Sequence, residues 1–274
     1  MVRRTVFFVS DQTGVTAETM GHSLLTQFDG QAFRQVTLPF ISTVDKAQEA
    51  VRRINATAET EGVRPVIFST LVQEDMREII KHANGLFLDF FDAFLGPLEL
   101  ELKAKSSRTL GKAHGMQDIG AYTLRINATN FALANDDGAT TRDYDRADLI
   151  MVGVSRSGKT PTCLYMALQY GIFAANYPLT DDDFERPKLP GRLANYRSKL
   201  YGLTIRPERL QQIRQERRPN SRYASPAQVG YEVRAAEAMF NQQNIPYIDT
   251  TETSIEEIAS RIIERSQLER RLRP

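Results

Sequence analysis

Short apolar runs alternate with amphipathic segments through the first hundred residues. The apolar runs are rich in valine, isoleucine and phenylalanine and are bounded by turn formers, which is typical of strands buried on both faces. They predict strands at Thr5–Ser10, Gln35–Ile41, Pro65–Thr70 and Leu86–Phe91. Because a helical segment follows each of the first three strands, the order favours crossover connections and a parallel sheet.

The segments between these strands have the period of amphipathic helices. The first, over residues 16–28, places Met20, Leu24 and Phe28 on one face. The second opens with Ser42 and Asp45 at the spacing of a capping box. The third covers residues 71–84.

The second half of the chain repeats this alternation. Strands are predicted at residues 148–154, 172–179, 199–205 and 245–250. Helices are predicted at residues 119–133, 160–171 and 254–271. In the middle one, Pro161 occupies the first turn, where a missing N–H is harmless, and Gly171 ends it.

This pattern predicts an α/β protein with two sheet domains. Residues 1–104 form a doubly wound parallel-sheet domain, and residues 148–274 form a kinase-like α/β domain. Residues 105–147 are predicted to connect them, as a polar loop, one helix and an acidic loop. A length of 274 residues suffices for two modest domains.

Composition excludes several classes of function. The formal net charge is +1, from 35 basic and 34 acidic residues, which argues against a dedicated nucleic-acid binder. Cys163 is the only cysteine, so neither an internal disulfide nor a cysteine zinc cluster is possible, and we expect it to pack in the core. No apolar run approaches the ~20 residues that span a bilayer, and the first residues do not resemble a signal peptide. We therefore expect a cytoplasmic protein without membrane contact.

One glycine-rich stretch between a predicted strand and helix matches the phosphate-binding P-loop G-x-x-x-x-G-K-[ST]. Its backbone N–H groups and the helix dipole are predicted to bind phosphate oxygens. Lys159 is positioned to reach the terminal phosphates, and Thr160 is the candidate Mg²⁺ ligand. The predicted binding residues are Gly153, Val154, Ser155, Arg156, Ser157, Gly158, Lys159 and Thr160.

Four further residues are candidates for proton transfer. A hydroxyl acceptor needs a carboxylate within hydrogen-bond reach, and Asp136 and Asp137 lie in the loop shortly before the P-loop strand. Turn formation explains this Asp-Asp-Gly equally well. His114 lies in a polar loop beside a glycine. Asp11 ends the first strand, where open α/β sheets place ligands, and its neighbouring hydroxyls predict either a second phosphate or partner contact or simple helix capping.

Two features near the C-terminus have alternative interpretations. Six arginines cluster in one segment, which favours a lid that closes over phosphates, or else a solvated basic helix face. They are Arg206, Arg209, Arg214, Arg217, Arg218 and Arg222. Asp249 is either a metal-binding acid at a strand end or a capping acid for the last helix.

Taken together, these residues resemble a known family. "SDQTGVTAET", "KAHGM", "ANDDG", "GVSRSGKTPTCLYMALQYGIFAANYPL", "RRPNSRYAS" and "IDTTETSIEEIA" are similar to segments of the bacterial bifunctional regulatory proteins that act as kinase and pyrophosphorylase. Such proteins control phosphoenolpyruvate synthase or pyruvate, phosphate dikinase. "RRPNSRYAS" is more similar to the synthase branch. The family usually has a histidine where this chain has Asn135, which shifts weight toward His114.

The resemblance implies an unusual reaction. Family members phosphorylate a threonine of the target enzyme with ADP as donor, which inactivates the target. They reverse this with inorganic phosphate, which attacks the phosphothreonine and releases pyrophosphate. The resemblance thus implies ADP and phosphate as substrates, Mg²⁺ as a helper ion and phosphoenolpyruvate synthase as partner.

Two other functions fit the same residues. A small-molecule P-loop kinase of the nucleoside monophosphate or shikimate type would share the loop and the arginines, although it would not need the N-terminal domain. A nucleotide-sensing module would bind nucleotide and transfer nothing. The final residues, "ERSQLERRLRP", are a candidate interface between copies of the chain.

Overall fold

The computed structural model describes residues 4–109, 119–138, 141–185 and 188–272. The chain divides into two compact units, Met1–Gly115 and Met116–Pro274. Each unit contains one four-stranded parallel sheet, so the predicted two-domain α/β fold is confirmed. No helix in the described ranges is long and apolar enough to cross a membrane.

The first unit alternates strands and helices. Its strands are β1 (Arg4–Val9), β2 (Phe33–Leu38), β3 (Val66–Ser69) and β4 (Leu86–Asp89). Its helices are α1 (Val15–Leu25), α2 (Val44–Glu61), α3 (Glu74–Lys81) and α4 (Phe90–Leu102). The strand order in the sheet is β2-β1-β3-β4, with every pair parallel.

Alternate residues of β1 face two different cores. Val6 and Phe8 pack with α1 and the start of α4, whereas Phe7 and Val9 pack with α2 and α3. Both faces are therefore covered by helices, as the uninterrupted apolar runs predicted.

The predicted face of α1 was right for Met20, which packs against the core around Phe8, and wrong for Leu24 and Phe28. The helix buries Ala17, Gly21 and Leu25, while Leu24 is 48% exposed and Phe28 is 61% exposed beyond the helix end. Small residues are needed on the buried face, because a Cβ on Gly21 would lie 2.5 Å from Cε1 of Phe8. A helix held this close to a layer of aromatic rings needs a small residue at the point of contact.

Two other predicted details also differ. The N-cap of α2 is Thr43, whose hydroxyl accepts from the amide of Lys46, and not Ser42. The fourth strand ends at Asp89, whose carboxylate accepts from the Asp92 amide and begins α4. Side-chain capping thus moved both boundaries.

The second unit has the same alternation. Its strands are β5 (Leu149–Val154), β6 (Ala174–Leu179), β7 (Leu200–Thr204) and β8 (Tyr247–Asp249). Its helices are α5 (Ile119–Ala134), α6 (Lys159–Tyr170), α7 (Asp181–Phe184), α8 (Pro207–Arg217), α9 (Pro226–Gln242) and α10 (Ile255–Ser266). The sheet order is β6-β5-β7-β8, again parallel throughout.

Helices cover both faces of the second sheet. Ile150 and Val152 of β5 face a core shared with α8 and α9, while Leu149 and Met151 face α5, α6 and α10. Helix α5, which the sequence placed in the connection, packs in this second core and so lies in the second unit. The last helix ends at Ser266, with Gln267 in the left-handed conformation, and not at residue 271.

Cys163 lies in this core, as predicted. It is 1% exposed, and its thiol donates to the carbonyl of Ala175 at 3.5 Å. Burial raises the pKa of the thiol to about 12, so the thiolate needed for nucleophilic chemistry is disfavoured.

Replacing Gly21 with alanine tests the packing of α1. The new Cβ would overlap the rings of Phe8 and Phe68, and overpacking of this kind costs about 1–3 kcal/mol of unfolding free energy. Gly96→Ala is the matched control, since a Cβ there meets nothing within 4 Å and alanine favours the helix. Urea unfolding of both variants measures the difference. Equal stabilities would contradict the close packing of α1.

Candidate active site

The glycine-rich loop lies between β5 and α6, in the predicted order of strand, loop and helix. Gly158 is the N-cap of α6 with a φ of 92°, and Arg156 has a φ of 75°. These left-handed residues curl the backbone, and such turns form concavities lined by amide groups that attract anions. The amides in the first turn of α6 also lack helical partners. The geometry therefore suits phosphate, although binding by these residues stays a prediction.

The first glycine of the loop is required by the neighbouring strand. A Cβ on Gly153 would lie closer than 3.0 Å to the backbone carbonyl oxygen of Leu203 on β7. Because the obstacle is backbone, it cannot rotate aside. Close pairing of β5 with β7 thus explains a glycine that the motif alone does not.

Lys159 is buried at the start of α6. The residue as a whole is 4% exposed, and its Nζ donates to the carbonyl of Val154 at 2.9 Å. Burial lowers the pKa of this lysine to about 8, while the charges of Asp137 and Asp136 act in the opposite direction. A second buried group, the hydroxyl of Ser157, has no hydrogen-bond partner in the described part of the chain. An orphaned donor and a buried cation in one loop fit an anionic oxygen ligand.

The two candidate acids lie beside this loop. Asp136 accepts from the hydroxyl of Thr160 at 2.7 Å and from the side-chain amide of Asn176. Asp137 follows with a φ of 51°, and its amide donates to the side-chain oxygen of Asn176 at 3.0 Å. The structure therefore brings Asp136, Asp137, Lys159 and Thr160 together, and their roles stay predictions.

Asn176 holds both acids and was missed. It lies on β6 next to β5 and is fully buried. Its backbone amide also donates to the carbonyl of Asn135 at 3.1 Å, which ties the strand to the end of α5. A single asparagine inside the apolar run "IFAANYPL" was the available signal, because a buried polar side chain needs partners.

Thr160 and Asp136 are suited to hold a magnesium ion. In P-loop enzymes the ion is bound by the loop hydroxyl and a nearby carboxylate, and the contact between these two side chains places such a pair together. Across the described residues, no group of three or more His, Cys, Asp or Glu has the spacing of a metal site. An ion bound here would therefore take further ligands from phosphate oxygens and water, as Mg²⁺ usually does.

The arginine cluster has two parts. Arg214 is fully buried on α8 and pairs with Glu232 at 2.6 Å, so the lid interpretation is wrong for this residue. A buried ion pair fixes the side chain and leaves it no freedom to close over a ligand. The other five arginines are exposed, and a role for any of them stays a prediction.

Asp249 lies on β8, at the opposite edge of the second sheet from β6, which carries Asn176. Asp249 ends β8, two strands from β5, and its carboxylate accepts from the amide of Thr251 at 2.8 Å. The cap of the last helix is Ser254, so the capping prediction for Asp249 was wrong.

Asp11 belongs to the first unit, where it lines a cavity of about 300 Å³ with Ser10, Thr13 and Thr16. Its carboxylate accepts from the amide of Val72 at 2.7 Å, and burial raises its pKa. Gly14 caps α1 there with a φ of 87°. A catalytic role for Asp11 stays a prediction, and His114 lies outside the described residues.

Comparison with known proteins identifies the family to which this chain belongs. A family model described as kinase/pyrophosphorylase matches residues 6–263. This chain belongs to the kinase/pyrophosphorylase family. The match covers both sheets, the glycine-rich loop and both candidate acids, so the family's description indicates phosphotransfer by the protein as a whole.

Close relatives agree over the whole length. The chain is 55% identical over 271 residues to a protein of Alcanivorax borkumensis and 56% identical over 272 residues to one of Stutzerimonas stutzeri, with 99% of this chain and 100% of each relative covered. A protein of Alkalilimnicola ehrlichii is 54% identical, with 98% of both chains covered. All three carry the name "Putative phosphoenolpyruvate synthase regulatory protein".

The lowered pKa of Lys159 predicts a pH-dependent affinity for ADP. Above pH 8 the free lysine loses its proton, whereas a bound phosphate favours the charged form and so raises the pKa. Binding then takes up a proton, and affinity falls as pH rises past about 8, by up to ~tenfold per pH unit. Calorimetric titration with ADP between pH 7 and 10 measures the fall.

Lys159→Arg is the control, because an arginine stays charged throughout this range. Its affinity should follow only the titration of the ligand and of other groups. If wild type and Lys159→Arg show the same pH dependence, Lys159 is not the group that titrates on binding.

Proposed function

We propose that this protein regulates phosphoenolpyruvate synthase by reversible phosphorylation of a threonine. ADP is the phosphoryl donor in the inactivating reaction, and inorganic phosphate removes the group in the activating reaction, which releases pyrophosphate. The names of the relatives support the target. The observation that carries the chemistry is the contact between the loop hydroxyl of Thr160 and Asp136, with Lys159 and Asp137 adjacent.

A diphosphate is the shape common to both reactions. ADP carries one in, and phosphorolysis forms one as pyrophosphate. The loop and the first turn of α6 supply amide donors, and Lys159, the first residue of α6, supplies a cation. One cradle therefore serves both directions, which makes a shared site the simplest arrangement.

The acids have different surroundings, which divides their roles. Asp136 already accepts two hydrogen bonds, from Thr160 and Asn176, so we assign it with Thr160 to Mg²⁺. When bound, the ion neutralises phosphate charge. Asp137 is exposed, and its backbone is fixed by Asn176. A fixed, accessible carboxylate suits a general base.

In the kinase direction Asp137 accepts the proton of the target threonine. The threonine oxygen attacks the β-phosphorus of ADP, the bond from that phosphorus to the bridging oxygen breaks, and AMP leaves with the electron pair. In the reverse direction an oxygen of inorganic phosphate attacks the phosphothreonine phosphorus. The threonine oxygen then leaves and takes the proton back from Asp137, and pyrophosphate is released.

An assay of phosphoryl transfer distinguishes this proposal from the alternative functions predicted from the sequence. A small-molecule kinase would use ATP and need no protein acceptor, and a sensor would bind nucleotide without transfer. The same activity on pyruvate, phosphate dikinase differs only in the target. Location in the cytoplasm and association of copies stay predictions.

Transfer of label from β-labelled ADP to purified phosphoenolpyruvate synthase tests the proposal. We expect labelled synthase with wild-type protein, and a loss of about 10²–10³-fold in rate for Lys159→Ala, by analogy with removal of other transition-state donors. Lys81→Ala is the matched control, because that lysine is exposed and pairs with Glu78 on the surface of the first unit. Label delivered only from ATP, or only to small molecules, would favour the alternative kinase.

Asn176→Asp tests the positioning of the acids. The new carboxylate at position 176 cannot donate a hydrogen bond to Asp136. It also repels the negative charge of Asp136, so the ionised state of Asp136 becomes less favourable in the variant. We expect kcat to fall at least ~tenfold and the acid limb of the pH–rate profile to move to higher pH. Asn84→Asp adds the same charge at an exposed position of the first unit and should leave the profile unchanged. A profile of Asn176→Asp that matches wild type would contradict the assigned role of Asn176.

A further inference from the structure

The back of the glycine-rich loop is held through its carbonyl groups. The carbonyl of Ser155 accepts from Nη2 of Arg214 at 3.0 Å. The carbonyl of Ser157 accepts from the hydroxyl of Thr250 at 3.1 Å. Alternate peptide units of the loop are thus anchored by side chains from two different segments of the second unit.

Each anchored carbonyl also fixes the direction of one amide. In a planar trans peptide the C=O and the following N–H point in opposite directions. Anchoring the carbonyl of Ser155 therefore aims the amide of Arg156 away from Arg214. Anchoring the carbonyl of Ser157 does the same for the amide of Gly158, away from Thr250. These two amides belong to the left-handed residues that curve the loop.

Arg214 is a rigid anchor because both of its terminal nitrogens and one face of its guanidinium are engaged. It forms a buried ion pair with Glu232 at 2.6 Å and donates to the carbonyl of Tyr223 at 3.1 Å. Its guanidinium carbon lies 4.1 Å from the centre of the Tyr223 ring, and the Tyr223 hydroxyl bonds the hydroxyl of Ser155 at 2.9 Å. Arg214 and Tyr223 therefore hold Ser155 through both its carbonyl and its side chain.

Thr250 joins the loop to the end of the sheet. Its backbone amide donates to the carbonyl of Thr204, and its hydroxyl lies within hydrogen-bond distance of the carbonyls of Thr204 and Ser157. The loop is therefore attached to the carboxyl ends of β7 and β8, and packing in the core holds these strands in place. This also offsets the strain of a non-glycine residue, Arg156, at positive φ.

We infer that Arg214, Tyr223 and Thr250 are positioning residues that aim the amides of Arg156 and Gly158 at a bound diphosphate. The inference rests on the proposed function for its ligand. Preorganised donors bind an anion without the entropy cost of ordering the loop. Loss of an anchor should therefore weaken diphosphate binding while the chemical groups stay in place.

Substitutions at Thr250 separate the hydroxyl from its packing. Thr250→Val keeps the shape and removes the donor, and Thr250→Ser keeps the donor. We expect Thr250→Val to weaken binding of inorganic pyrophosphate and to raise the KM for ADP by about tenfold, with kcat changed less than about threefold. Thr250→Ser should stay within about twofold of wild type. Thr253→Val is the control, since the hydroxyl of Thr253 donates to the carbonyl of Asp249 and not to the loop, as far as the structure describes the chain.

Tyr223→Phe and Arg214→Lys test the other anchor. The first removes only the bond to the Ser155 hydroxyl, and Tyr231→Phe is its control at a partly exposed ring that packs edge-on against Phe184. The second keeps the charge beside Glu232 and removes the forked donor that reaches Ser155. Both should raise the KM for ADP about three- to tenfold, with melting temperatures recorded to exclude unfolding.

The outcomes separate the inference from the function it rests on. Pyrophosphate binding by Thr250→Val equal to that of wild type, or equal weakening by Thr250→Ser, overturns the inference. Wild-type protein that binds pyrophosphate, loses that binding in Thr250→Val and transfers no label supports the inference and overturns the proposed function. Wild-type protein that does not bind pyrophosphate overturns both.

Discussion

The parallel pairing of β5 with β6 on one side and β7 on the other is the constraint on which the site depends. Because carboxyl ends of parallel strands meet at one edge, this pairing brings the loop after β5 beside the end of β7. It also places Asn176 of β6 in register with Met151 of β5, beneath the start of the loop. The pairing also restricts the amino acid at position 153, since the backbone of β7 leaves room only for a glycine there. Backbone hydrogen bonds between the strands therefore set the positions from which the side chains of the site project.

The two buried cations near the loop, Arg214 and Lys159, differ in whether an acid neutralises them. Arg214 is compensated by Glu232, so its ion pair is a structural support and not a ligand. Lys159 has no such partner within ion-pair distance in the described residues, and Arg214 lowers its pKa further after the larger effect of burial. Asp136 and Asp137 oppose that effect only in part. A buried cation in this state is stabilised by a bound phosphate more than an exposed one would be, because water does not screen it.

Apolar patterning predicted the eight strands and most helices, because these depend on local sequence and on burial of whole segments. It failed where a choice depends on distant packing. The face of α1 is set by the rings of Phe8 and Phe68, and nothing within the helix indicates them. Arg214 is one of six arginines in its segment, and it is distinguished by contacts with residues elsewhere in the chain, above all the ion pair with Glu232 on the next helix. Asn176 likewise acquires its role from Asp136, forty residues earlier in the chain.

Both sheets have the same strand order, and each first strand leads to a helix capped by a left-handed glycine, Gly14 or Gly158. This likeness lies in the backbone, in the strand order and in the left-handed glycine. The residue after the glycine differs: Val15 follows Gly14, and Lys159 follows Gly158. Equal topology therefore supplies a helix N-terminus at the carboxyl edge of each sheet. In the second sheet that helix begins with the buried Lys159 and with Thr160, whose hydroxyl bonds the carboxylate of Asp136. The fold provides the position, and the side chains that it collects there decide the chemistry.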